Sequence, residues 1–263
     1  MKIKDHRIRL LNQKNMGVSS ARNKGIGEAK YDYIGLLDAD DAWKPNFLTI
    51  IKKLIERYPN AGAYVTSYEL VREDGTVVVS LNSSKWQGII DDYFKYSLKA
   101  PLITASSIVI PKRVFNNLGG FPLGVKRGED LDMWTRIALK YDIAYSNQIC
   151  ATYFHDADDR ACKRNGKVAD SVVNYAEDTL IKGKESGNSS FYFEEYMIQH
   201  IIAKARYLIG DNKNIEARRL LYKYRYTKLN KKQIIKTYIL SFIPKPLVGY
   251  MLLLRNKGIK HLK

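Results

Sequence analysis

Cysteine is almost absent from this chain. Cys150 and Cys162 are the only two in 263 residues, and no CxxC spacing accompanies them. Neither a disulfide framework nor a cysteine-based zinc site is indicated, and a reducing compartment is the default expectation. A long apolar run is also missing. The most apolar stretch, residues 238–254, is cut by Pro244-Lys245-Pro246, and neither half approaches the ~20 residues that a spanning helix needs. The opening Met1-Lys2-Ile3-Lys4-Asp5-His6-Arg7 has no apolar core, which argues against a secretory signal. Acidic residues are scarce at one end only. From Gln199 to Lys263 there are 16 Lys plus Arg against 2 Asp plus Glu, so this stretch carries +14 of the total +17. A basic tail of this kind implies an anionic partner, either lipid headgroups or nucleic acid.

What is present has the make-up of a soluble globular protein, with 45% apolar and 27% charged residues and length for one large domain or two small ones. Apolar patterning predicts strands at residues 7–11, 33–37, 61–67, 69–72 and 104–110, and two short strands within 143–154. Asp74-Gly75 reads as a hairpin turn into a strand at 76–81. Helical spacing predicts helices over residues 18–30, 47–58, 91–98, 111–118 and 129–141. Beyond residue 160 the pattern is helical, near 168–184, 191–209, 215–226, 232–242 and 247–254. The expected organisation is an α/β mixed sheet with helices on its faces over residues 1–160, then a basic helical region over 161–263.

Chemistry concentrates in Tyr33-Ile34-Gly35-Leu36-Leu37-Asp38-Ala39-Asp40-Asp41-Ala42-Trp43-Lys44-Pro45. An apolar strand ends there in three carboxylates, at the place where open α/β sheets bind ligands. Asp38 and Asp40, two apart, can share one hard divalent cation. The same residues also suit an acidic turn in which Asp41 caps the next helix.

Two further segments accompany this turn. Asn15-Met16-Gly17-Val18-Ser19-Ser20-Ala21-Arg22-Asn23-Lys24-Gly25 precedes it, and Gly128-Glu129-Asp130-Leu131-Asp132-Met133-Trp134 follows. In this order the three resemble glycosyltransferase family 2, inverting enzymes with a GT-A (Rossmann-like) fold, over about residues 9–160. The resemblance implies a nucleotide-sugar donor, a divalent cation (Mn or Mg), and a glycan or lipid-linked acceptor in cell-surface polysaccharide synthesis. It assigns the catalytic base to Asp130, with Glu129 orienting base or acceptor. Asp40 is the implied direct metal ligand, with Asp38 reaching metal through water or contacting the ribose. Arg22, Asn23 and Arg160 are expected at the donor, His155 at the cation or a phosphate, and Trp134 beneath an acceptor sugar. Each has an ordinary alternative: helix-start acids for Glu129 and Asp130, a solvated cation for Arg22, a satisfied strand-end imidazole for His155, core for Trp134.

The family's opening half, which ends in Val-Asp-Asp-Gly-Ser and cradles the nucleotide base, is not found in this sequence. A domain truncated at its amino end is therefore expected, with a catalytically inactive remnant as the alternative. The basic tail implies peripheral attachment to an anionic membrane at the cytoplasmic face. A nucleic-acid-binding protein is a third reading, without a recognised motif to support it.

Overall fold

The computed structural model describes residues 5–72, 74–79, 87–125, 127–154, 171–185, 187 and 189–243. The chain divides into two compact units, Met1–Asp91 with Leu102–Arg164, and Asp92–Pro101 with Asn165–Lys263. His155, Arg160 and the segment 247–254 lie outside the described residues.

In chain order the elements up to residue 154 are α1 (Val18–Glu28), β1 (Tyr33–Gly35), β2 (Ala42–Trp43), α2 (Phe47–Arg57), β3 (Ala63–Val71), β4 (Val77–Val79), β5 (Gly88–Ile89), α3 (Tyr93–Ser97), a 3-10 turn (Ala105–Ser107), β6 (Ile108–Pro111), α4 (Lys112–Leu118), α5 (Glu129–Ala138) and β7 (Ile143–Phe154). All but α3 belong to the first unit. Its strands form one mixed sheet in the order β1-β6-β3-β7-β2, with β4 on β3 and β5 on β7. The β3–β7 pair is parallel and the others are antiparallel. The mixed α/β sheet expected from the sequence is thus present.

The core forms because Phe47, Ile50, Ile51 and Leu54 recur at helical spacing and fall on one face of α2. That face packs on Tyr64 of β3, Val109 of β6, and Ala144 and Cys150 of β7. Each such side chain removed from water contributes about 1.5–3 kcal/mol, and Ile51→Asp would break the layer. The α2 helix stops at Tyr58, whose N–H donates to the Leu54 carbonyl, because Pro59 has no N–H to continue it. Gly62 is needed at a close approach: a Cβ there would lie 2.3 Å from the Tyr141 Cβ.

Four expectations change. The strands expected at 61–67 and 69–72 are one, β3. Residues 7–11 form no strand. Ile8 and Leu10 are exposed, at 58% and 83%, while Arg7 pairs with Asp5 and Arg9 with Glu28. Among the described residues no ladder takes up this segment, and alternation alone does not supply one. At residues 104–107 the backbone turns before the strand begins, because the small hydroxyl residues bond locally. The Thr104 N–H donates to Ser107 Oγ at 3.0 Å, and that hydroxyl donates back to the Thr104 carbonyl at 3.1 Å. The two short strands expected in 143–154 are one strand with a bulge. Thr66 faces Ser146, Ser67 faces Ile149 and Tyr68 faces Ala151, leaving Asn147, Gln148 and Cys150 without partners in the β3 register.

The second unit holds α3 and four further helices among the described residues: α6 (Ser171–Glu185), α7 (Phe191–Gly210), α8 (Asn214–Lys223) and α9 (Lys231–Leu240). Asp92 caps α3 by accepting from the N–H groups of Phe94 and Lys95. Its other oxygen accepts from Ser190 Oγ at 2.8 Å, and Ser190 in turn caps α7. Phe94 packs edge-on against Phe193, which is why residues 92–101 group with the later helices. Among the described residues no helix is long and apolar enough to cross a membrane.

Candidate active site

After β1 the chain passes through Leu36, whose N–H still donates to the Ile108 carbonyl, and enters the acidic turn at the sheet's end. The turn closes with the Asp41 N–H donating to the Asp38 carbonyl at 3.0 Å. Ser106, buried in the 3-10 turn, pins it from beneath. Its hydroxyl donates to Asp41 Oδ2 at 2.6 Å and accepts from the Asp38 N–H at 3.1 Å, and its carbonyl accepts from Trp43 Nε1 at 2.7 Å. The other Asp41 oxygen accepts from the Phe154 N–H at 3.3 Å. Asp41 therefore ties the turn to the sheet, and α2 is capped at Asn46 with no side-chain bond. Asp40 is exposed at the tip and Asp38 is half-buried.

Arg22 joins the three distant segments. From α1 its Nη2 donates to Asp38 Oδ1 at 2.8 Å, and its Nη1 donates to Glu129 Oε1 at 3.0 Å. The fork is 11% exposed and Glu129 12%. Burial works against the charge on Arg22, but Asp38, Glu129 and the nearby Asp130 outweigh it and hold the guanidinium protonated. The acids opposite move upward. Burial raises the Asp130 carboxyl above the usual range, against the Leu131 N–H and Arg22. Burial and the Asp130 charge raise Glu129, against the pull of Arg22. Glu129 and Asp130 reach this place because Gly128 adopts φ 77°, a left-handed conformation that starts α5. Carboxylates in that first turn face the positive end of the helix dipole.

Arg22, expected at the donor phosphates, thus has both arms on carboxylates. Asn23 is corrected to a structural role. Its Nδ2 donates to the Phe121 carbonyl and its Oδ1 accepts from the Phe121 N–H, both at 2.8 Å. Both ends of the amide are satisfied by backbone, and the packing is tight enough that a Cβ at Gly120 would sit 2.3 Å from Asn23 Oδ1. Trp134 is corrected as well. Its ring is 0% exposed and meets Phe121 edge-on, so it offers no face to a sugar and is core beneath the acids.

Magnesium and manganese accept one or two carboxylates and take their remaining ligands from water and phosphate. The Asp38–Asp40 turn suits such a cation. It does not suit one held wholly by protein, since among the described residues no three acidic, His or Cys groups gather. Beside Arg22 and Asp38 a groove of about 540 Å³ runs between α1 and β1, apolar along Val18, Ile26 and Leu37 and charged at one end.

Residues 1–118 match the family described as Glycosyl transferase family 2. The chain is 32% identical over 138 residues to an uncharacterized glycosyltransferase of Rickettsia bellii, covering 52% of this chain and 19% of that protein. It is 24% identical over 160 residues to the hyaluronan synthase of Pasteurella multocida, covering 61% and 16%. Among solved structures it is similar to S. aureus TarS 1–349 in complex with UDP-GlcNAc, at 13% identity and TM-score 0.49, covering 89% of this chain and 64% of that one. The matched stretches span about a fifth of the first curated relatives' length.

Proposed function

We propose, on the premise that this chain belongs to glycosyltransferase family 2 through residues 1–118, that it moves a sugar from a nucleotide-sugar donor to a glycan or lipid-linked acceptor. The observation that supports this most is the Arg22 fork, which brings the acidic turn and the start of α5 to one place. The hyaluronan synthase relative supports a polysaccharide as the product class.

In this reading the acceptor hydroxyl attacks the anomeric carbon opposite the leaving diphosphate. The bond from that carbon to the phosphate oxygen breaks, and the hydroxyl proton passes to the Asp130 carboxylate. Burial, which raises Asp130, makes it a better proton acceptor than a surface aspartate. Glu129, fixed by Arg22, holds the acceptor or the base in line. Asp40 and Asp38 would hold a divalent cation, which supplies positive charge against the diphosphate when bound. His155 and Arg160 complete the donor side in this reading. In this reading the basic tail holds the chain at the cytoplasmic face of an anionic membrane.

Calorimetric titration with UDP, GDP and ADP, with and without Mn²⁺, tests the reading. One nucleoside diphosphate is expected to bind with cation dependence, and Asp40→Ala to lose that dependence. Asp130→Asn should keep nucleotide binding but slow transfer by roughly 10²–10⁴-fold, because an amide cannot take the proton. If no nucleotide binds with Mn²⁺, or Asp130→Asn transfers at full rate, the assignment fails.

A further inference from the structure

The second unit carries an apolar stripe that its own packing leaves half or more exposed. In α9, Ile234 and Thr237 are buried, while Ile235 is 50% exposed, Ile239 58% and Phe242, just past the helix, 61%. Their spacing of four and three residues places them along one side. Lys231, Lys232 and Lys236 are exposed on the same helix. From α8, the Arg218 guanidinium lies 4.5 Å over the Phe242 ring, and its Nη1 donates to the Ser241 carbonyl at 3.0 Å. A basic edge of α8 therefore adjoins the stripe, with Ile215 and Arg219 exposed nearby. Glu216 is the one acidic residue on the two helices.

We propose that this face, Ile235, Ile239 and Phe242 framed by Arg218, Arg219 and the α9 lysines, is where the chain lies on an anionic phospholipid membrane. The inference rests on the membrane location given above and names the residues that make the contact. Charge decides the partner. Residues 199–263 carry +14, so pairing this face with a second copy would oppose like charges, whereas an anionic leaflet attracts each cation near its surface. Aliphatic isoleucines decide between lipid and nucleic acid. Bases are held by aromatic stacking and hydrogen bonds, to which isoleucine adds nothing, while acyl chains reward every aliphatic group withdrawn from water. Geometry decides the mode. Ten residues make a helix of about 15 Å, half of the ~30 Å hydrocarbon core. It lies in the interface with its stripe down and its lysines at headgroup level.

Co-sedimentation of the full chain with vesicles tests this. Phosphatidylcholine vesicles containing phosphatidylglycerol should retain the chain at low salt, and pure phosphatidylcholine should not. The triple variant Ile235→Ser, Ile239→Ser, Phe242→Ser should bind the anionic vesicles at least ~100-fold more weakly, with an unchanged helical circular dichroism spectrum, since all three side chains are exposed. Ile239→Trp supplies a second readout: brominated lipid should quench its added fluorescence relative to the parent chain. If the parent binds but the triple variant binds equally, and Ile239→Trp is not quenched, the face is wrong and the membrane location stands. If the parent does not bind anionic vesicles, or duplex DNA or self-association depends on the three residues instead, both are overturned.

Discussion

Ser106 shows how much one small residue decides. Its hydroxyl and carbonyl together hold the Asp38 backbone, the Asp41 carboxylate and the Trp43 indole, and the side chain is 1% exposed. Ser106→Ala removes both hydroxyl bonds and leaves Asp41 Oδ2 without this donor in a half-buried place. A loss of about 1–3 kcal/mol is expected from urea unfolding, the cost of stranding such a group. Because the turn that carries Asp38 and Asp40 is the part released, cation-dependent nucleotide binding should weaken while the helix content stays constant. A variant with unchanged stability and unchanged nucleotide binding would show that the turn holds its shape without Ser106.

Within the helical unit, α7 carries the buried Glu195 and the half-buried His200. Glu195 is 3% exposed and accepts from the Thr227 hydroxyl, the N–H groups of Lys228 and Leu229, and Asn230 Nδ2. It thereby fixes the turn that leads into α9. Burial pushes its carboxyl up, but these donors outweigh burial and hold it below the usual value of 4.5. His200, packed edge-on to Tyr196, is pushed down to about 4 by burial. Below pH 6.5 the unfolded chain protonates this imidazole while the folded chain does not. Stability therefore falls as pH drops from 6.5 to about 4, by about 3 kcal/mol. Glu195 acts at lower pH: its contribution is complete above 4.5 and is lost as pH falls through its folded pKa. Helical circular dichroism during urea unfolding at pH 7 and pH 4.5 should show the loss, and His200→Phe, which keeps the aromatic contact, should remove most of the difference. An equal loss in that variant would assign the acid sensitivity elsewhere.

At the scale of the whole molecule, charge is the dominant asymmetry. Of the net +17, residues 199–263 hold +14, and the described ion pairs there are few. Glu177 serves both Lys204 and Lys223. Exposed pairs contribute about 0–1 kcal/mol, less than the repulsion of many unscreened cations in a small helical unit. Raising NaCl from 50 to 500 mM shortens the Debye length well below ~10 Å, so the thermal midpoint of the helical signal should rise. A midpoint that falls would mean that the ion pairs outweigh the repulsion.

The sequence alone determined the features that depend on near neighbours. The apolar face of α2, the acidic turn after β1, the helix start at Gly128-Glu129-Asp130 and the uneven charge are all local patterns, and periodicity and turn chemistry report local geometry. Tertiary structure decided which of these patterns meet. Arg22 and Glu129 are 107 residues apart, Asn23 and Phe121 98, and Asp41 and Ser106 65. No local period encodes such pairings. The same reason explains residues 7–11, which have strand chemistry but no ladder, and Trp134, whose indole suits a sugar face or a core equally until packing closes over it. Ser106 did leave a trace, as a small polar residue opening an apolar strand, but only the folded sheet brings that hydroxyl beneath the carboxylates.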